Sequence, residues 1–322
     1  MSKNKLLFNS LISFIIVFFC LVIFINNLKD GIRLGTLFEH IYNGWMHLTF
    51  ASILLITSVY LRAFRWQHLF QSNKFKSITD LFSAQLVGYF INNISPIRIG
   101  DFAKSYLVSK KTDQKNSYIL GSIMMERVLD TIMLLIFMLI IISSYGLEYL
   151  NINFSLLSIY NIIPIILLSF FSIYCIKFFI PFKIKNILSE FWKGFTAINL
   201  SNKSAVIFSS IFIWLIYWMN VFLIQEIFPS LDLKLIDCLF ILVASSFIQM
   251  IPTGFGGLGI FHLGVNAVLI KLGIVEIPNY EYFLILLWLY SYFIYTILGS
   301  YHFIQNGKFT IKNLYHDLIK NQ

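Results

Sequence analysis

Charge is what this sequence has least of: Asp, Glu, Lys and Arg make up 12% of its 322 residues, about half the share of a soluble domain. That scarcity, with 58% hydrophobic residues and a mean hydropathy of +0.78, excludes a water-soluble globular protein and places the chain in a bilayer. The apolar stretches do not alternate with polar residues over about 10 positions, so they do not read as barrel strands. They run to about 20 residues, the length an α-helix needs to cross roughly 30 Å of hydrocarbon. Cysteine is nearly absent. Cys20, Cys175 and Cys238 each sit inside an apolar run with no paired spacing, which predicts neither a disulfide nor a zinc site. There is no Asp-x-Asp, no His-Glu-x-x-His and no Gly-Lys-Ser/Thr loop, so the expectation is a non-enzyme with no cofactor, no metal and no catalytic residue. Acidic residues are the scarcer charge, 15 against 24 basic ones, giving a net charge of +9. In a membrane chain such an excess reads as positive-inside bias rather than as an affinity for nucleic acid.

Six stretches are long and apolar enough to span: 6–25, 45–61, 119–144, 156–180, 205–228 and 282–304. The first follows Lys3 and Lys5 and lacks a small-residue cleavage site, so it reads as a retained span rather than a signal peptide. Two further stretches are interrupted. One runs 78–94 and breaks over Asn92-Asn93-Ile94-Ser95-Pro96-Ile97-Arg98-Ile99-Gly100-Asp101; the other runs 235–250, breaks over 252–259 and resumes to about Gly273. If both are re-entrant, 19 of the 24 basic residues fall on the cytoplasmic side and four (Lys29, Arg33, Lys234 and Lys271) fall outside. If both cross, the basic clusters 98–115 and 177–203 face outward, against the positive-inside rule. The expected fold is therefore an all-α membrane protein of six transmembrane helices plus two opposed re-entrant segments, with both termini cytoplasmic.

An order of span, span, broken segment, span then recurs with an offset of about 156 residues, and Phe90-Ile91-Asn92-Asn93-Ile94-Ser95-Pro96 echoes Phe247-Ile248-Gln249-Met250-Ile251-Pro252. The chain reads as one membrane domain, with halves of about 1–150 and 151–306 and a short basic tail, 307–322. Three spans precede the second half, so the halves have opposite orientations. Paired broken helices in such inverted repeats mark the substrate sites of many transporters.

Three clusters carry the polar chemistry. At the first break, Pro96 and Gly100 free backbone groups from helix bonding, and Asn92, Asn93, Ser95, Arg98, Asp101 and Lys104 surround them. Arg98 has the fork geometry for a lipid phosphate; a plain turn in which Arg98 and Asp101 satisfy each other is the alternative. At the second break, Thr253, Gly254, Gly256, Gly257 and Gly259 allow successive amides to converge on an anion ahead of a half-helix starting near Ile260; tight helix crossing is the alternative use of small residues. His262 and Asn266 follow on one face. The third cluster is Glu126, Arg127 and Asp130, in which the acids share a face, Asp130 lies about a turn deeper, and a proton, a cation or Arg98 is the expected partner. The alternative is a surface pairing with neighbouring lysines. Arg62, Arg65, Trp66 and His68 close the second span like an inner-leaflet anchor. Gln225, Glu226 and Asp237 either line an exit path or are solvated helix ends.

Arg65-Trp66, the run from Asn93 to Asp101 with Lys104, Glu126-Arg127 with Asp130, and Pro252 with Gly256-Gly257-Leu258-Gly259 together resemble the flippase-like family of the lysylphosphatidylglycerol synthase transmembrane region. The resemblance covers essentially the whole chain. It implies a polytopic inner-membrane protein that moves anionic, aminoacylated or glycan-linked lipid head groups between leaflets. Its partners would be the lipid substrate and the lipid-synthesis or envelope-assembly enzymes that supply it. A membrane-embedded transferase and a scaffold subunit are the rival readings. The chain departs from the family pattern in placing His262 where an acid often follows the glycine loop, and Asp101 where Glu is commoner. The aminoacyl-transferase domain of the full synthases is also expected to be missing, since the sequence stops 18 residues after Ile304.

Overall fold

Long runs of Leu, Ile, Phe and Met without internal proline satisfy their own backbone hydrogen bonds only as helices in a bilayer, and helices are what form. The computed structural model describes residues 33–70, 77–95, 98–112, 114–146, 182–197, 202–251, 255–274 and 279–305. Ten α-helices lie in these segments: α1 (Leu34–Asn43), α2 (Trp45–Leu69), α3 (Ile78–Ile94), α4 (Gly100–Thr112), α5 (Asn116–Tyr145), α6 (Phe182–Phe195), α7 (Lys203–Gln225), α8 (Leu235–Gln249), α9 (Ile260–Lys271) and α10 (Tyr280–Gln305). No strand occurs among the described residues. The expected spans 6–25 and 156–180, the tail 307–322, Cys20 and Cys175 lie outside them, as do Pro96, Pro252, Thr253 and Gly254. Cys238, inside α8, is a buried free thiol.

Four helices, α2, α5, α7 and α10, are long and apolar enough to cross a membrane, and they coincide with four of the six expected spans. The 30 residues of α5 make a helix about 45 Å long, which overshoots the hydrocarbon core. The ends of these helices sort into two groups. Lys115, beside the start of α5, pairs with Glu190 of α6 at 3.3 Å, and His302, near the end of α10, lies edge-on to Phe82 near the start of α3. At the opposite end, Tyr145 of α5 donates to Asp237 of α8, and His40 of α1 packs on Phe228 and Tyr282.

The first interrupted segment is a helical hairpin. Asp80 at the start of α3 meets Lys111 at the end of α4 at 2.6 Å, and Gln85 meets Lys104 at 3.2 Å, so the two helices run antiparallel with Ser95, Arg98 and Ile99 near the tip. Their crossing is tight enough to require glycine, because a Cβ on Gly100 would lie 2.0 Å from the carbonyl oxygen of Gly88. In the second segment α9 doubles back beside α8, with Gly264 packed on Ile248. The hairpins touch at their tips: the Phe255 amide donates to the Ser95 carbonyl at 3.0 Å, and Arg98 donates to the Gln249 carbonyl.

Helices recur in the same order about 156 residues apart. α2 corresponds to α7, α3 to α8 and α4 to α9. α2 and α7 pack against each other antiparallel, since Arg65 reaches Ser210 while Arg62, a turn earlier, reaches Tyr217 a few residues later. Two apolar clusters flank the polar centre. One gathers α7 to α10 and the C-terminal half of α5 around Trp214, Phe228 and Phe283; the other gathers α2 to α4 and the N-terminal half of α5 around Trp66, Leu81 and Ile119.

Candidate functional site

A cavity of about 510 Å³ opens beside the first of these clusters, with Leu134, Trp214, Leu242, Phe261 and Leu287 in its wall. Of the residues expected at a site, Asn92, Asn93, Arg98, Asp101, Arg127, Asp130 and Gly256 line it. The helix breaks explain how. Asn92 accepts the Gly100 amide at 2.8 Å, satisfying one donor at the start of α4. Asn93 turns to α10, donating to the Thr296 hydroxyl at 3.0 Å and the Tyr292 carbonyl at 3.3 Å. Gly256, at φ 65°, receives the Trp288 indole N–H on its carbonyl at 3.0 Å. A Cβ there would sit 2.9 Å from the Tyr292 ring, so both backbone conformation and space demand glycine.

Asp130 is the electrostatic centre. Its two carboxylate oxygens accept from Arg62 and Arg65, each at 2.9 Å, and the Trp214 indole adds a third donor at 3.3 Å. Arg62 also donates to the Tyr217 hydroxyl at 2.8 Å and lies over that ring. Glu126 forms a second node, with Lys104 at 3.2 Å, the Gln85 amide at 3.3 Å and Arg65 at 4.0 Å. Asp101 forms a third, paired with Arg127 at 2.9 Å and Lys104 at 3.4 Å. Burial of charge is costly unless each ion is matched; the buried acids Asp130 and Glu126 are held by the buried cations Arg62, Arg65 and Lys104, an excess of one positive charge, while the Asp101–Arg127 pair at the edge of the network is partly exposed.

Several expectations change in detail. Arg62, Arg65 and Trp66 are not an interfacial anchor: Arg65 and Trp66 are 0% exposed and belong to the core of the network, with the Trp66 indole on Ser122 at 3.0 Å and under the Lys104 ammonium. The sequence pattern of basic and aromatic residues at a span end is the same in both situations, and only the carboxylates brought by α5 distinguish them. Arg98 is not the partner of Asp130 or Glu126, nor does it pair off with Asp101 alone; it bridges to the second hairpin through Gln249. Glu126 is buried rather than interfacial, and Lys104, also buried, stands behind the cavity wall instead of facing it. The glycine loop does not present a full row of amides, because the Phe255 amide is taken by Ser95 and the Leu258 amide by Phe255. Ser95, Gly257, Gly259 and His262 lie around this loop outside the cavity lining. His262 and Asn266 are buried on one face, as their spacing implied. His68 bonds its own helix at the Phe64 carbonyl. Asp237 caps the start of α8 by accepting the Lys234 amide; Gln225 is buried and Glu226 follows at the end of α7.

Sequence reasoning missed the α7 and α10 side of the site. Trp214, Tyr217, Asn220, Trp288, Tyr290, Tyr292 and Tyr295 line the wall facing the breaks. In sequence they are aromatic residues in aromatic-rich spans, and Asn220, a lone amide in an apolar helix, was the available signal.

The lysylphosphatidylglycerol synthase transmembrane region family matches residues 10–299. A UPF0104 membrane protein of Methanocaldococcus jannaschii is 30% identical over 223 residues, 66% of this chain and 93% of its own length. No solved structure matches significantly. With the paired breaks, the buried ion network and the apolar spans in place across the matched region, the chain belongs to the family of the lysylphosphatidylglycerol synthase transmembrane region.

Proposed function

We propose that this protein is a lipid translocase that carries an anionic, aminoacylated or glycan-linked head group between leaflets, with no catalytic step of its own. The observation that carries this reading is the junction of two hairpin tips, through Ser95–Phe255 and Arg98–Gln249, at a cavity whose wall combines paired charges with aromatic rings. Irregular backbone at membrane depth persists where it borders a wet cavity or buried protein, and a polar cavity between apolar helices shelters a head group while the acyl chains stay in lipid.

The topology that serves this function is an inverted repeat of six spans and two re-entrant hairpins entering from opposite faces of the inner membrane. The antiparallel packing of α2 with α7 and the tip-to-tip contact support it. The end of the molecule carrying Lys110, Lys111, Lys115, Lys185, Lys193 and Lys203 faces the cytoplasm, and the end with Arg33, Lys234 and Lys271 faces outward, as the positive-inside rule requires. Arg98 receives the phosphate at the tip, and the Asp130 and Asp101 ion pairs set the field around it. The substrate is supplied by enzymes of lipid synthesis or envelope assembly.

The test is leaflet-resolved movement of labelled lipids in proteoliposomes. Arg98→Ala is expected to reduce movement at least tenfold with folded yield unchanged; equal rates in the mutant would refute the role of the tip.

A further inference from the structure

Asn220 is 4% exposed, projects from α7 into the cavity wall, and neither its amide nitrogen nor its carbonyl oxygen hydrogen-bonds to any described residue. Buried amides are ordinarily satisfied, and a primary amide offers two donors and an acceptor together. A hydroxyl answers both at once, since it donates and accepts; an ionised phosphate or an ammonium answers one half only.

The surroundings favour an uncharged partner. The cavity's two carboxylates are already engaged, Asp130 by Arg62 and Arg65, and Asp101 by Arg127 and Lys104. No lining carboxylate is left for an ammonium, and the arginines of the wall outnumber its acids. Asn220 lies one helical turn beyond Tyr217, about 4.5 Å along the axis, on the side away from the Asp130 node. Tyr217, Trp288 and Tyr290 stand in the same wall, and aromatic faces beside an amide suit the C–H and O–H surfaces of a polyol.

We infer that the cavity selects a phosphodiester-linked head group ending in an uncharged polyol, glycerol or a sugar, with Asn220 reading its hydroxyls, in preference to an aminoacylated head group. This rests on the lipid reading above and narrows its substrate.

The experiment uses the full chain in detergent and follows tryptophan fluorescence, since Trp214 and Trp288 line the cavity. The probes are glycerophosphoglycerol, its lysyl ester and inorganic phosphate. Glycerophosphoglycerol is expected to bind at least tenfold more tightly than the lysyl ester, and Asn220→Leu to weaken it about tenfold, the order of one lost pair of buried hydrogen bonds, with phosphate binding unchanged. If Asn220→Leu does not fold, Asn220→Ser takes its place and is expected to lose part of the same discrimination. Tighter binding of the lysyl ester, or equal binding of glycerophosphoglycerol by wild type and variant, overturns the inference. The same panel as diacyl lipids in proteoliposomes separates the two claims. Lipid movement without polyol selectivity removes the role of Asn220 alone. Polyol binding by a folded protein that moves no lipid removes the translocase reading and leaves the selectivity standing. Neither binding nor movement removes both.

Discussion

Replacing Asp130 by alanine removes the carboxylate that holds two buried arginines. Arg62 and Arg65 each lose a 2.9 Å charge-assisted bond, and the Trp214 indole loses its acceptor. Arg65 is fully buried and, among the described residues, keeps only Glu126, at 4.0 Å, as an opposite charge. Breaking a buried pair by deleting one partner costs about 3–5 kcal/mol, because the remaining ion stays desolvated. Two stranded guanidiniums place Asp130→Ala at the upper end of that range. Asp80→Ala supplies the control: its pair with Lys111 has both side chains more than 40% exposed, and exposed pairs contribute about 0–1 kcal/mol. Substituting all three residues of the node with leucine removes the unmatched charge, and apolar replacement of buried ion groups is often neutral or better. The triple variant is therefore expected to regain most of the stability that Asp130→Ala loses, without regaining transport. Reversible unfolding in mixed micelles, followed by tryptophan fluorescence, measures all three. A loss below about 1 kcal/mol for Asp130→Ala, indistinguishable from Asp80→Ala, would refute the view that this node is buried and charge-matched.

Two further predictions concern packing and topology. A Cβ on Gly121 would lie 2.0 Å from the Phe191 carbonyl oxygen, whereas one on Gly35 meets nothing within 4 Å; Gly121→Ala is expected to lower stability by about 1–3 kcal/mol, with Gly35→Ala neutral or slightly stabilising in the same unfolding assay. In a cysteine-free background, Lys111→Cys and Lys193→Cys are expected to react with an impermeant maleimide only from the cytoplasmic side, and Lys234→Cys only from the opposite side. Labelling of residues 111 and 193 only from the outer side, with residue 234 labelled from the cytoplasm, would overturn the re-entrant topology, since that is the pattern if both segments cross.

The membrane class, the four described spans and both helix breaks were legible in the sequence because they follow from local properties: hydropathy over about 20 residues and the loss of helix bonding near Pro96 and among the glycines. The boundaries of α3, at Ile94, and α9, at Ile260, fell where those residues stop or resume a helix. The candidate residues at the first break and on α5 were legible for the same reason, since a charge or a proline in an apolar span is conspicuous wherever it points. What a charge pairs with is not local. Arg65 and Trp66 at the end of a span look the same whether they face lipid head groups or a buried carboxylate, and only the packing of α2 against α5 and α7 decided for Asp130. The tip-to-tip contact of the hairpins redirected Arg98 from an acid to the Gln249 carbonyl, across 151 residues of sequence. The aromatic wall was invisible for the opposite reason: in a chain with 34 Phe and 17 Tyr one more ring carries no signal. Asn220 stood out as a lone amide in an apolar span, but tertiary structure alone placed it at the cavity and determined which rings enclose that cavity and which meet lipid.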